Sequence, residues 1–262
     1  MKDQLGNLFK LASTPKRIVS LVPSQTELLV DLGLESSLVG ITKFCVHPEE
    51  LRNTKVIVGG TKQVHLDEIR GLKPDVILCN KEENTEEMVK ELKSIAPVHI
   101  SDVHTFEDAL ELIKMYGEMF SAAQKAQHLI EGIQKEKQQF SKFLKERPRY
   151  KVAYLIWKKP WMVVAKQTFI DEMLSLNNFE NSFKDFERYP EIELAEIGER
   201  HPDVILLSSE PYPFKEDHQQ DLEAIFPKTK IVLVDGEYFS WYGSRLLKAF
   251  DYFRKLHQNH LD

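Results

Sequence analysis

The sequence predicts an α/β fold of two lobes, each a parallel sheet covered by helices, joined by a long rigid helix. Three observations carry this. Short apolar, β-branched runs alternate with amphipathic helical stretches, the rhythm of a parallel sheet with helices on its faces. A stretch of 18 residues recurs: LDEIRGLKPDVILCNKEE at Leu66–Glu83 and LAEIGERHPDVILLSSEP at Leu194–Pro211 share nine identities at a constant offset of 128. Between the copies, Thr105–Lys145 carries no strand signal and little turn chemistry. The expected division is an N-terminal lobe over 1–104, linker helices over 105–148 and a C-terminal lobe over 149–262.

In the first lobe, Ile18–Val22 reads as a buried strand. Ser24, with Glu27 three residues on, has the capping-box spacing of a helix start; Leu28, Leu29 and Leu32 form its apolar face and Gly33 ends it. Strands follow at Leu38–Ile41 and Val56–Val58. Leu66–Leu72 is a short helix stopped by Pro74, and Val76–Cys79 a strand. Asn84 with Glu87 opens the next helix, before the strand Val98–Ile100. In the connector, Thr105 caps one helix and Ser121, with Gln124, starts a second that Pro148 stops. From Ala122 to Glu146 this helix measures about 37 Å at about 1.5 Å per residue. The second lobe reads as strand Lys151–Ile156, helix Phe169–Leu176, strand Val204–Leu207, a helix holding Leu222–Phe226, strand Ile231–Val234 and a closing helix Trp241–His257.

Composition limits the function. Of 262 residues, 42% are hydrophobic and 29% charged, and no apolar run approaches the roughly 20 residues of a membrane helix. A net charge of −6 argues against a nucleic-acid partner, because phosphate binding requires a basic surface. The opening MKDQLGNLFKLASTPKR has no apolar signal segment and no lipoprotein-like cysteine, which predicts a cytoplasmic protein; a trimmed mature chain would instead be periplasmic. Cys45 and Cys79, with no CxxC pair, read as buried free thiols. The chain is expected to be a monomer and to need no cofactor.

Ligands of open parallel sheets bind beyond the carboxyl ends of the strands. Two such lobes would offer Pro23–Thr26, Thr42–His47, Gly59–His65 and Asn80–Asn84 from the first, and Trp157–Met162, Tyr189, Ser208–Phe214 and Glu237–Arg245 from the second. All three tryptophans, Trp157, Trp161 and Trp241, fall in these loops, joined by Tyr189, Tyr212 and Tyr242. Any one of them is as readily an edge-of-core residue; together they form the aromatic wall that a flat ring system or chelate requires. Lys158 and Arg245 stand where they can pair with ligand carboxylates or phosphate, or else remain a solvated lysine and a local cap. The full set of expected contacts is Ser24, Gln25, Phe44, His47, Thr61, Asn80, Glu82, Trp157, Lys158, Trp161, Tyr189, Tyr212, Trp241, Tyr242 and Arg245.

Catalysis and metal binding are weaker readings. His47, His65, His99 and His104, with Glu82 and Glu83, lack the HxH or HxxxH spacing that fixes a metal, so no metal site is expected. There is no P-loop, GxGxxG or GxSxG. Cys45 and His47 fall on one side of an extended segment, but no third group orients them. The alternative function is a cytoplasmic enzyme or chaperone acting on a metal-containing cofactor, with Cys45, His47 and His65 near its metal.

RIVSLVPSQTELLVDLGL, LVGITKFCVHP, VGG and LDEIRGLKPDVIL together resemble the helical-linker class of periplasmic solute-binding proteins, the receptors of ATP-driven importers for cobalamin, siderophores and haem. The resemblance runs from about Asp3 to the final helix. It implies a chelate held in a cleft between two lobes, no enzymatic activity and an ABC importer permease as partner. The corrinoid-binding branch implies aromatic contacts at Phe44 and Tyr189, whereas Asn80 and Thr61 replace two of its other aromatics. The class also implies one acidic docking residue per lobe; Asp67 stands at one such position and Ala195 at the other.

Overall fold

The computed structural model describes residues 1–261, and the chain divides into two compact units. The first comprises Met1–Val103, Glu107–Ile133 and Trp241–Leu247; the second comprises His104–Phe106, Gln134–Ser240 and the chain from Lys248 on.

The first unit holds β1 (Ile18–Ser20), β2 (Leu38–Ile41), β3 (Val56–Ile57), β4 (Val76–Asn80) and β5 (Val98–Ser101) in the order β3-β2-β1-β4-β5. All four pairings are parallel. The chain winds outward from β1 through β2 to β3, then crosses to β4 and β5. The strand order therefore reverses between β1 and β4, and crevices for ligands form at the carboxyl ends of strands at such a reversal. Val19, Leu21, Ile77, Cys79, Val98 and Ile100 from these strands and their ends form one core with Ile69 and Leu92 from the covering helices. Strands buried on both faces read as continuous apolar runs, which makes them recognisable in the sequence.

The second unit holds β6 (Tyr150–Trp157), β7 (Trp161–Val163), β8 (Phe179–Asn181), β9 (Glu191–Ile192), β10 (Val204–Ser208) and β11 (Lys230–Val234). The order is β11-β10-β6-β7-β9, with β8 also on β6. This sheet is mixed rather than parallel: β6–β7 and β7–β9 are antiparallel, while β6–β10, β10–β11 and β6–β8 are parallel. Lys158–Pro160 alone connects β6 to β7, and so short a link can close only an antiparallel hairpin. Trp157 and Trp161, expected in a loop, are the last and first residues of the two paired strands.

The internal repeat has a structural cause. Helix Leu66–Leu72 and β4 correspond residue for residue, at the offset of 128, to helix Leu194–Arg200 and β10. Lys73 and His201 both end their helix in the left-handed region, at φ 47° and 49°. Asp75 and Asp203 then bind the start of the adjacent strand. The backbone N–H groups of Lys16 and Arg17 donate to Asp75 Oδ2 at 2.8 and 3.0 Å, and that of Lys151 donates to Asp203 Oδ2 at 2.7 Å. Arg17 Nε reaches the Leu72 carbonyl at 2.8 Å, and Lys151 Nζ the Arg200 carbonyl at 2.5 Å, each satisfying a helix-terminal acceptor. The repeat thus builds the strand-start edge of each sheet, opposite to the carboxyl ends at which such sheets offer crevices to ligands.

Four local expectations are corrected. The first helix is Pro23–Asp31, with Pro23 in its first turn and Val22 as an N-cap without a side-chain bond; proline's fixed φ suits that position, and Ser24 and Glu27 lie inside the helix. Thr85, not Asn84, caps Glu86–Leu92, its side chain accepting from the Met88 N–H. The connector helices are Phe106–Met119 and Ala123–Phe143, the latter closing in a 3₁₀ turn at Leu144–Glu146. The last helix is Leu246–His260; Trp241–Arg245 is non-helical, with Gly243 at φ 106°.

Candidate functional site

In the first unit, the reversal between β1 and β4 is closed by a buried polar network. Gln25 is inaccessible and bonded through both ends of its amide: Nε2 donates to Ser101 Oγ at 2.6 Å and to Tyr242 Oη at 3.2 Å, and Oε1 accepts from Tyr116 Oη at 2.6 Å. Asn80 Nδ2 donates to Ser101 Oγ at 3.0 Å, and Asn80 Oδ1 accepts from the Glu82 N–H at 2.8 Å and the Glu83 N–H at 3.2 Å. Burial pushes the Tyr116 and Tyr242 hydroxyls well above the usual phenol range, so both remain neutral. Gln25, Asn80 and Tyr242 were expected to touch a ligand directly. Their polar groups satisfy one another and fix the loops, because a buried polar group left unbonded is costly. Asn84 extends the network, with Oδ1 accepting from Asn80 N at 2.8 Å and Nδ2 donating to the Thr61 carbonyl at 2.8 Å. Thr61 and Glu82 are therefore held through their backbones, the Glu82 carbonyl also accepting from Lys62 Nζ. Ser24 is buried in the first turn of its helix.

A second assembly brings the C-terminal part of the chain into this unit. Arg245 pairs with Glu27 in a two-pronged ion pair, Nε to Oε2 and Nη2 to Oε1 each at 2.9 Å, with both side chains about nine-tenths buried. The guanidinium lies 4.7 Å from the Trp241 ring, and Trp241 meets His47 edge-on at 5.5 Å. Desolvation pushes the Glu27 carboxyl up, and Arg245 beside it pulls it back. The Arg245 fork, expected to pair with a ligand anion, is bonded to Glu27 in this structure. The loop carrying Trp241, expected in the second lobe, belongs elsewhere, since Trp241–Leu247 groups with the first unit.

The accessible aromatic of this unit is Phe44, 49% exposed. Its ring rests against Gly60, where a Cβ would stand 3.2 Å from Phe44 Cε2, and the Lys43 ammonium lies 5.1 Å from the ring centroid. Cys45 is fully buried, its Sγ 3.2 Å from Thr26 Oγ1 and 3.4 Å from Thr42 Oγ1; burial raises its pKa, which disfavours a nucleophilic thiolate. Among the described residues no three His, Cys, Asp or Glu side chains are grouped to hold a metal ion. His65 faces Glu68 at 3.5 Å, while His99 is sealed between Phe9 and Tyr116.

In the second unit, the carboxyl ends of β6 and β10 carry a continuous aromatic wall. Trp157, 38% exposed, meets Tyr212 at 5.6 Å; Tyr212 meets Phe214 at 4.7 Å; and Phe214 stacks with Trp161 at 6.2 Å and 10°. His218 fixes Tyr212. The Lys215 N–H donates to His218 Nδ1 at 3.0 Å, so the ring proton is on Nε2 and points at Tyr212 Oη, 3.1 Å away. Lys158 lies 5.6 Å over Trp161 and 3.3 Å from Asp221. Tyr189, partly buried, has the Arg188 guanidinium 5.9 Å from its ring. His218 escaped sequence reading because it belongs to a helix, not to a strand-end loop; its spacing six residues after Tyr212 was the available signal. In the first unit, a surface groove lined by Leu8, Phe9, Lys93 and Pro97 lies at the start of β5.

Residues 18–226 match the family described as periplasmic binding protein. A substrate-binding lipoprotein of an ABC transporter from Bacillus subtilis, itself uncharacterised, is 28% identical over 200 residues, covering 73% of this chain and 63% of that protein's length. The vitamin B12-binding protein of Pectobacterium atrosepticum is 23% identical over 248 residues, covering 90% and 86%. The solved periplasmic haem-binding protein of Vibrio cholerae superposes with a TM-score of 0.78 at 23% identity, covering 92% of this chain and 98% of that one. The cytoplasmic location expected from the N-terminus is overturned by these relatives, which are lipoprotein or periplasmic. Among the described residues no helix is long and apolar enough to cross a membrane.

Proposed function

The chain belongs to the periplasmic binding protein family, and on that premise we propose that it captures a metal chelate of the cobalamin, haem or ferric-siderophore type for an ABC importer. The family consists of substrate-binding proteins rather than enzymes, so the alternative of an enzyme or chaperone built on Cys45, His47 and His65 falls. Such a protein needs no cofactor of its own. The observation that carries the ligand class is the wall of Trp157, Tyr212, Phe214 and Trp161, four rings in successive contact at the carboxyl ends of β6 and β10. A wall of this size offers a flat ligand large apolar contact at little conformational cost, because the rings already hold one another. In the first unit we assign Phe44, seated on Gly60, and the His47–Trp241 ring pair as further contacts. Tyr189 is a further contact of the second unit.

Importer docking is assigned to Asp67 on helix Leu66–Leu72. Its side chain is 97% exposed and, among the described residues, pairs only with Arg70 of its own helix, at 2.8 Å. A pair so exposed contributes little to stability and is readily exchanged for a partner's cation.

Titration of tryptophan fluorescence with haem, cobalamin and a ferric siderophore tests the proposal. The expected result is saturable quenching by one of them, with affinity reduced by about tenfold or more in Trp157→Ala and in Tyr212→Ala, as for anchoring aromatics elsewhere. Silence across the three chelates contradicts the ligand class.

A further inference from the structure

We infer that the ligand presents free carboxylates, and that Lys158 is the residue that selects it over a neutral, amidated chelate. This rests on the solute-binding reading above and narrows it. The Lys158 ammonium lies 5.6 Å over Trp161, and its side chain is only 19% exposed. Its stem is therefore already laid along the aromatic wall, and little rotamer freedom remains to be lost on binding.

The present counter-ion is Asp221, 3.3 Å away on helix Glu216–Ile225 and 68% exposed. Ion pairs with so solvated a partner contribute little. A ligand carboxylate seated against the wall can take the place of Asp221 and return that side chain to water. A neutral amide offers the ammonium no comparable charge.

The first unit repeats the device: Lys43 lies 5.1 Å over the exposed Phe44, and no carboxylate pairs with it among the described residues. Arg245 over Trp241 is different, because Glu27 already neutralises it. An accessible ring bearing an ammonium is thus present in each unit.

Ferric mesoporphyrin and its dimethyl ester differ only in their carboxylates, and titrating the full chain with both, and with cobalamin, tests the inference. The free acid is expected to bind about tenfold or more tighter than the ester, as when a charge-assisted hydrogen bond is gained. Lys158→Gln should bring that ratio towards one and Lys158→Arg should keep it. Asp221→Asn, an exposed change that removes the competing carboxylate, should tighten the acid but not the ester. Equal affinity for acid and ester, or tight cobalamin binding without porphyrin binding, overturns the inference while leaving the solute-binding reading standing. Failure of these three and of a ferric siderophore to bind removes both.

Discussion

Arg245→Met is expected to destabilise the protein by about 3–5 kcal/mol, the usual consequence of leaving one member of a buried ion pair alone. Glu27 would then be nine-tenths buried with no cation at its two oxygens. The pair itself adds far less than that figure, since burial already pushes the Glu27 carboxyl up against the pull of Arg245. Glu27→Leu combined with Arg245→Met should therefore recover most of the loss, because no charge is left to desolvate. Chemical denaturation of the two singles and the double reads this as a shift in midpoint. A loss below about 1 kcal/mol in Arg245→Met would mean that the pair behaves as a surface contact. The functional reading of the pair follows from the same variants: Trp241 packs on the Arg245 guanidinium, so its emission should change in Arg245→Met.

His99 is expected to make stability fall steeply with acid. It is fully buried on β5 between the rings of Phe9 and Tyr116, and among the described residues neither ring nitrogen has a hydrogen-bond partner. Desolvation outweighs the attraction of Asp3 and pushes its pKa from 6.5 down to about 4. The unfolded chain therefore binds a proton between pH 6.5 and 4 that the folded chain refuses. Stability is intact above pH 6.5 and is lost as the pH falls towards 4. The loss is about 3 kcal/mol, each tenfold drop in proton affinity costing about 1.4 kcal/mol. His99→Phe keeps an aromatic edge against Phe9 and Tyr116, and should remove this part of the slope whatever constant offset its size introduces. Denaturation midpoints at pH 7 and pH 4.5 provide the comparison; an unchanged difference in His99→Phe would mean that other groups carry the acid sensitivity.

Most of the fold was legible because its strands are buried on both faces. Leu38–Ile41, Leu66–Leu72 and Phe169–Leu176 stand where the apolar pattern puts them. The mixed second sheet was not legible as such, although the three residues between Trp157 and Trp161 already required a hairpin. Helix starts escape local reading where two chemistries compete: Pro23 displaces the Ser24 box, and Asn84 is drawn into the Asn80 loop while Thr85 caps the helix. The clustering of tryptophans at strand ends was legible as composition, but the contacts of the predicted residues were not legible as geometry. Glu27 and Arg245 are 218 residues apart, and Gln25 meets Ser101, Tyr116 and Tyr242 from three other parts of the chain. No local pattern encodes such partners, so the bonds that tie these residues to one another were not foreseen.

The central claim is that the strand-end loops hold the ligand while the repeated strand-start corners serve as scaffold. Hydrogen exchange with and without a saturating chelate tests it most directly. The account predicts added protection in Thr42–His47, Trp157–Trp161 and Ser208–Phe214, with none beyond the background in Lys16–Arg17, Lys73–Asp75, Lys151 or His201–Asp203. Protection concentrated at those corners, with the strand-end loops unchanged, would contradict it.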